Sequence, residues 1–542
     1  MLVTSALRDG PLGNRFDVIV VGAGAAGSAL AAALSDDASC SVLVVEAGRY
    51  FGSVDRYPEL LQRVDDFSFS LAPGQTYPRH PRYGSFTWSY EGHLNEFRRA
   101  RIVRGRVVGG SSAINGASFT RGLPQDYERW AAAGNTEWSF DRVLPSLRAI
   151  ETDLDFGDTE LHGARGPMLV RRGTEQDLSP SSMIFAQAAL DAGFDWDPDL
   201  NGLSTGGVGL MPRNVVAGVR LNAGAAFLGR VMPRRNLSLV DRCVVHRVVV
   251  HDGRAIGVEL DHQGSLHRIH ADEVVLCAGG INSPHLLMLS GIGPTEMLGH
   301  AGIAPHVRLD HVGSGLADHP YVVVPFTVAP DLQDVGGGAS VCLNYASASG
   351  GREDLTIVAY PSRPKVHDSD APNALGLYCG LQAPLNRGEI VLRAASPRSS
   401  PIVHYNYLVH EDDRRRMREC VRLGVDLLEH PEYRSVGARQ TALAPSQLAD
   451  DSELDRWIAT NLCTAYHSAG TCKMGPDSDE SAVVDQYGRV RGVEGLRIVD
   501  ASIVPTLTTR GMHANAVLMG EHAASLMRSA QPGLVREVDK SC

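Results

Sequence analysis

Phe16-Asp-Val-Ile-Val-Val-Gly-Ala-Gly-Ala-Ala-Gly-Ser-Ala-Leu30, followed by Val42-Leu-Val-Val-Glu-Ala-Gly48, decides the fold of this chain. The apolar run Val18–Val21 predicts a buried strand, and the small residues from about Ala25 predict a helix packed close to it. Between them Gly22, Ala23, Gly24 and Gly27 form a turn with the spacing G-x-G-x-x-G. Gly22 permits the tight turn, Gly24 lets the backbone approach a pyrophosphate, and Gly27 lets helix and strand pack closely. The helix N-terminus then offers unpaired N–H groups and a positive dipole end to phosphate. A second buried strand ends in Glu46 and Ala47. That carboxylate lies nineteen residues beyond Gly27, where it can accept from ribose hydroxyls. Strand, glycine turn, helix, strand and acid in register predict a dinucleotide-binding unit.

The same stretch is uncharged from Val18 to Leu34, but it is rich in alanine rather than leucine. Asp17 and Ser35-Asp-Asp37 bound it tightly, so no transmembrane segment is expected. Residues 1–15 lack the apolar core and small-residue cleavage site of a secretion signal, which makes the cytoplasm the expected compartment. At 542 residues the chain exceeds what one core usually serves, and 43% apolar residues suit an ordinary globular protein. A formal charge of −11 argues against nucleic acid as a partner. The nine cysteines are scattered without a C-x-x-C pair, and the twenty histidines show no ligand spacing, so no metal is expected.

Farther along, Val245–Val250, Arg254–Leu260 and Ser265–His270 are three short alternating runs. Asp252-Gly253 and Gln263-Gly264 separate them, both hairpin signals. This antiparallel meander feeds a buried strand Glu273–Gly279, where NAD-binding folds more often place a crossover helix, and it tilts the cofactor towards FAD. Gly279-Gly-Ile-Asn-Ser-Pro-His-Leu-Leu-Met-Leu-Ser-Gly291 then predicts a glycine turn into a helix, capped by Ser283 with Pro284 at its first position and stopped at Gly291. A last buried strand, Leu496–Ser502, leads to a C-terminal helix. The expected fold class is α/β: a Rossmann-like FAD-binding domain with a β-meander, discontinuous over 1–165, 236–319 and 461–542. An inserted α+β substrate domain built on an antiparallel sheet is expected over 166–235 and 320–460.

These segments resemble the glucose–methanol–choline (GMC) oxidoreductases, flavoproteins that oxidise alcohols. Arg104-Gly-Arg-Val-Val-Gly-Gly-Ser-Ser-Ala-Ile-Asn-Gly-Ala-Ser-Phe-Thr-Arg-Gly122 looks like the first family signature and Gly279–Pro294 like the second. Ser314-Gly-Leu-Ala-Asp-His-Pro320 is similar to a further segment, and Tyr466-His-Ser-Ala-Gly-Thr-Cys-Lys-Met-Gly475 to the active-site strip. Val108, Gly109, Gly110 and Ser111 supply small residues and backbone N–H groups where a flavin lies close to the chain. Asn115, followed by Gly116, offers amide contacts to the isoalloxazine edge; its bland alternative is a turn-stabilising Asn. The residue just before that Asn is in some members a histidine bonded to the flavin. Here it is Ile114, which implies non-covalent FAD. By similarity Val245 lies beside the adenine, Ala278 and Gly279 belong to the cofactor cradle, and Asp500 with Ala501 lies near the pyrophosphate and ring.

The resemblance puts the chemistry on His467, since oxidation of an alcohol needs the hydroxyl proton removed as hydride leaves for flavin N5. For the second active-site position, counting back from Gly520-Glu521 without gaps reaches Gly511, with His513 two residues on and Asn515 beyond it. His513 is taken as the partner of the substrate oxygen; the alternative is that it caps the helix or contacts FAD. The expected substrate is a small-molecule alcohol, and the electron acceptor is open among oxygen, a quinone and a protein carrier. The alternative function is a non-redox, hydroxynitrile-lyase-like activity on the same scaffold. Substrate identity and oligomeric state are not legible.

Overall fold

The structure is a computed structural model, and it describes residues 15–64, 84–204, 206–329, 340–349, 353–359 and 374–530. Residues 1–14, read above for a secretion signal, lie outside the described ones. Strand Arg15–Val21 runs into helix Ala25–Leu34, and strand Val42–Val45 lies parallel beside the first. Their cores read Val-Ile-Val-Val and Val-Leu-Val-Val, without alternation, because a parallel sheet is covered on both faces. On one side of this pair lies Leu237–Val240, parallel to Val42–Val45. On the other lies Ser265–Leu276, followed by Arg254–His262 and Cys243–His251, with Leu496–Ile498 added to the parallel end. Asp252 and Gln263 take positive φ, 47° and 53°, at the two predicted hairpin turns.

Two details differ from the sequence reading. The third run of the meander and the buried strand after it are one strand, Ser265–Leu276. Its first half pairs antiparallel with Arg254–His262, and its end pairs parallel with both Arg15–Val21 and Leu496–Ile498. No glycine or proline interrupts it, so the pleat simply continues. The following helix spans Gly279–Leu289, starting earlier than Ser283 and leaving Pro284 inside it. The N–H that Pro284 lacks frees the carbonyl of Gly280, which accepts instead from Thr471 Oγ1 at 2.7 Å. Ser283 Oγ accepts from the N–H of Ala278 at 3.1 Å and donates to Asp500 at 2.5 Å. Gly291, at φ 76°, ends the helix as predicted.

A second, antiparallel sheet carries the strands Arg439–Gln440, Pro320–Thr327, Ala374–Leu381, Glu353–Ala359, Val341–Ala346 and Gly207–Leu210, in that order. Cys463–Thr464 pairs with its Pro320–Thr327 strand. Its strands alternate. Val324, Ile357 and Cys379 point at helix Glu411–Leu428, where a Cβ on Gly424 would meet all three within 4.0 Å. Val323, Cys342, Val358 and Tyr378 form a separate cluster on the opposite face, together with Leu200 and Met211. Leu200, Met211, Cys342, Val358 and Tyr378 of that face line a cavity. A five-stranded sheet, Ser314–Leu316, Gly388–Val391, Ile402–His404, Thr87–His93 and Arg99–Gly105, ties the two parts together. The C-terminal helix Met512–Ala530 packs so tightly on helix Ala25–Leu34 that a Cβ on Gly520 would lie 2.1 Å from the carbonyl oxygen of Ala26. This contact fixes where the residues before the helix reach the cavity. Among the described residues no helix is long and apolar enough to cross a membrane.

Candidate active site

A cavity of about 490 Å³ runs between the parallel sheet and the antiparallel one. Its nucleotide end is backbone. Gly22, at φ 104°, turns the chain so closely against the Cys277 carbonyl that a Cβ there would lie 2.6 Å from that oxygen. A Cβ on Gly27 would lie 2.0 Å from the carbonyl oxygen of Gly22, so this glycine sets the approach of helix to strand. Gly24 has open space where its Cβ would point. Glu46, buried at the end of its strand, accepts from the N–H of Ala23 at 2.8 Å and from that of Gly48 at 2.7 Å. Burial pushes its carboxyl up while those backbone bonds oppose the shift. Each oxygen keeps a lone pair, and Glu46 and Ala47 line the cavity.

The first family segment docks onto that turn. The N–H of Gly109 donates to the carbonyl of Ala23 at 2.7 Å, and a Cβ on Gly110 would lie 2.8 Å from the Cα of Gly24. Gly110, Ser111, Asn115 and Gly116 line the cavity, as do Val245, Ala278, Gly279, Asp500 and Ala501. Ala23, Gly27, Val108 and Gly109 do not line it and form its supporting layer. Asp500 is a bracket: Oδ2 accepts from the N–H of Gly279 (2.8 Å) and Ser283, and Oδ1 from the N–H (2.8 Å) and hydroxyl of Ser502. It therefore holds the start of helix Gly279–Leu289 against the last strand. Asn115 accepts from the N–H of Ala117 at 3.0 Å and donates to His513 Nδ1 at 3.3 Å, so it both stabilises a turn and faces the cavity.

These surfaces suit a flavin dinucleotide. Glycines leave open space at Gly24 and Gly279, and a helix N-terminus and an acid flank the turn. Asn115 and Ser111 continue the cradle towards the histidines.

The opposite end, which carries His467, is built from side chains. His319 Nε2 lies 2.9 Å from the carbonyl oxygen of Thr508, which can only accept, so that nitrogen carries the proton. His319 Nδ1 lies 2.8 Å from His467 Nδ1. Burial pushes the His319 imidazole down to about 4, so it is neutral, and its Nδ1 accepts the proton held by His467 Nδ1. His467 is thereby fixed as the tautomer with a bare Nε2. Burial, then His319 and Arg104, hold His467 well below the ordinary histidine value. The backbone is fixed too: Asp318 accepts from the N–H of His467 at 3.0 Å, from Thr464 at 2.8 Å and from Ser468 at 3.1 Å. Tyr466, just before, sits at φ 62°, a strained setting for a non-glycine residue that the surrounding bonds hold in place.

Gly511 is the residue against His467. A Cβ there would lie 3.6 Å from His467 Nε2 and 3.0 Å from Thr120 Oγ1. His513 lines the same cavity but is engaged elsewhere, with Asn115 and edge-on against the ring of Phe119 at 5.0 Å. Burial pushes it down to about 4. Asn515 faces away, bonded to Tyr127 at 2.6 Å and to the Gly511 carbonyl. His319, Asp318, the Thr508 carbonyl and Arg510 carry no role in the sequence reading. Asp318-His319 lies within a segment quoted there, but nothing in the linear chain sets it against position 467.

A family model described as GMC oxidoreductase matches residues 16–321, and a second, for the C-terminal part, matches 384–520. The chain belongs to the GMC oxidoreductase family. This GMC enzyme is an FAD-dependent oxidoreductase acting on CH–OH donors. It is 36% identical over 518 residues to an uncharacterized GMC-type oxidoreductase from the thcA 5′ region of Rhodococcus erythropolis, covering 94% of this chain and 98% of the relative. It is 34% identical over 549 residues to the oxygen-dependent choline dehydrogenase of Sinorhizobium fredii, with 95% and 96% covered. The crystal structure of pyridoxine 4-oxidase from Mesorbium loti superposes with a TM-score of 0.85 at 28% identity, covering 95% of this chain and 99% of that one.

Proposed function

We propose that this GMC enzyme oxidises a small-molecule alcohol to the aldehyde or ketone with His467 as the proton acceptor. The observation that carries the reading is the fixed tautomer. A carbonyl that cannot donate, a neutral imidazole and a second imidazole stand in series, and they leave a lone pair on His467 Nε2 beside Gly511. The flavin, when bound, supplies the hydride acceptor at N5. The protein removes the hydroxyl proton, because an alkoxide is the better hydride donor.

In this reading His467 acts without a second side chain opposite it, since Gly511 occupies that place. The pairing of His513 with Asn115 favours a role at the flavin edge, and this replaces the earlier assignment of His513 to the substrate oxygen. FAD is held non-covalently, with Ile114 where some members carry the linking histidine. The division into a discontinuous cofactor domain and an inserted substrate domain, a cytoplasmic setting and an acceptor that is oxygen, a quinone or a protein carrier belong to the same proposal.

The test is anaerobic mixing of the yellow holoenzyme with a panel of alcohols. Loss of the flavin absorbance at a rate set by alcohol concentration is expected. An unchanged spectrum across a broad panel, with aldehyde and cyanide released from a cyanohydrin, would replace oxidation by the lyase reading.

A further inference from the structure

We propose that the substrate is an alcohol carrying an anionic or hydrogen-bond-accepting group and no cationic one, and that Arg510 sets this selectivity. The proposal rests on the oxidation reading above.

The charges along the cavity are sorted by position. Among the described lining residues the carboxylates are Glu46 and Asp500. Both belong to the nucleotide end, and their oxygens already accept from backbone and hydroxyl groups. The lining cations are Arg101, Arg104 and Arg510. Arg510 lines the cavity and immediately precedes Gly511, whose Cβ position lies 3.6 Å from His467 Nε2. Its guanidinium is buried, bonded to Glu353 and to the carbonyl of Thr509 at 2.9 Å, while its Nε has no hydrogen-bond partner. Glu353 stands behind the wall rather than on it. The antiparallel sheet adds neutral hydrogen-bonding groups from Asn344, Thr356 and Gln382.

The aromatic faces that would attract a quaternary ammonium ion are partly taken. The Arg104 guanidinium lies 5.5 Å from the ring centre of Tyr466, and that of Arg106 lies 4.6 Å from the ring centre of Trp88. Both rings line the cavity. A second cation there meets guanidinium groups in a setting of low dielectric instead of a free π-face. The approach has the same sign. A groove holding Arg99, Arg101, Arg393 and Arg398 against Glu91 and Glu96 adjoins the cavity and shares Arg101 with it, on a chain whose formal charge is −11. Relatives about a third identical to this chain are named choline dehydrogenases, so choline is the contrasting probe.

Three probes of similar shape decide the point: choline, its isostere with a quaternary carbon in place of nitrogen, and a hydroxy acid of the same length. The holoenzyme is titrated anaerobically with each, following flavin reduction and, before reduction, the small spectral perturbation that reports binding. The expected order of kcat/KM places the hydroxy acid first and choline last, with the hydroxy acid at least about tenfold above choline, since like-charge juxtaposition in a cavity is costly. Choline or the neutral isostere equal to or better than the hydroxy acid overturns the proposal. If no probe reduces the flavin, the binding order alone still decides the charge inference, while the oxidation reading stands or falls on the broad alcohol panel; equal binding of all three, or none, also overturns the charge inference. The double substitution Arg510→Met with Glu353→Gln removes the pair without stranding a buried charge. It is expected to raise KM for the best acceptor-bearing probe with a smaller change in kcat, and to narrow its advantage over choline. An unchanged preference in this folded variant removes Arg510 from the proposal.

Discussion

The two ends of the cavity are made differently. At the nucleotide end the contacts are peptide groups, supplied by a short continuous stretch and by segments that pack onto it. Gly22, Gly27 and Gly110 are there because any side chain would collide with backbone. At the end that carries the histidines the contacts are side chains drawn from distant segments. His319 and His467 are separated by 148 residues and His319 and the Thr508 carbonyl by 189. The first end tolerates little change of shape. The second depends on the protonation of individual nitrogens.

The contrast is sharpest under substitution. Gly27→Val should do the most damage: its Cβ lands on the Gly22 carbonyl, and overpacking of this kind costs typically about 1–3 kcal/mol or more. The variant is expected to purify without yellow colour and to unfold at lower temperature; a fully flavinated, equally stable protein would show that the turn is not the cofactor's seat. His467→Gln should keep the flavin yet slow its reduction by about 10²–10⁴-fold, the range of a lost general base. Near-normal reduction would remove His467 from its role. His319→Phe should slow reduction less, by about 10–100-fold, because the base survives but loses the group that fixes its tautomer. A rate equal to wild type would mean that His467 orients itself without His319. Gly511→Ala should have the smallest effect, a raised KM from a methyl group 3.6 Å from His467 Nε2. Flavin reduction as a function of alcohol concentration measures it, and an unchanged KM would show that substrate does not pass that point.

Acid separates the two ends without mutation. His285, His319 and His513 are pushed by burial from an ordinary 6.5 to about 4, and burial holds His467 well below 6.5 too. Groups held neutral in the fold bind fewer protons than in the unfolded chain. Their stabilising effect is complete above pH 6.5 and is lost as pH falls from there towards 4. Thermal unfolding of the holoenzyme should therefore move to lower temperature over that acid window, while flavin reduction stays level through neutral pH because His467 is already neutral. His162 has the opposite sign. Burial alone would lower it, but its hydrogen bonds to Asp153, Asp199 and Glu151 raise it to about 10. Its contribution is complete below 6.5 and fades as pH rises towards 10. A melting temperature that is flat on the acid side would contradict neutral histidines in the cavity.

Much of the first end was legible in the chain. Turn, strand, helix and acid are local, and local patterns survive folding because strand burial and close helix packing impose residue types directly. The meander was legible for the same reason, from two turn dipeptides between alternating runs. The start of the helix after Ala278 was not, because Ser283-Pro284 reads as a cap unless one knows that Thr471 satisfies the carbonyl that Pro284 leaves free. His467 was found through its family strip. The count from Gly520-Glu521 left Gly511, His513 and Asn515 as neighbouring candidates, because it cannot tell which way a residue at a helix start faces; the structure sets Gly511 against His467 and pairs His513 with Asn115.

The sequence by itself determined the dinucleotide-binding turn and the parallel core, since each is written in neighbouring residues whose spacing repeats the geometry they need, and its likeness to a family strip pointed to His467 as the candidate base. Only the tertiary structure decided which nitrogen of that histidine is free, what stands opposite it, and where the cavity keeps its charges. Those properties come from groups brought together across hundreds of residues, and a protonation state or a local field belongs to such an assembly rather than to any stretch of chain.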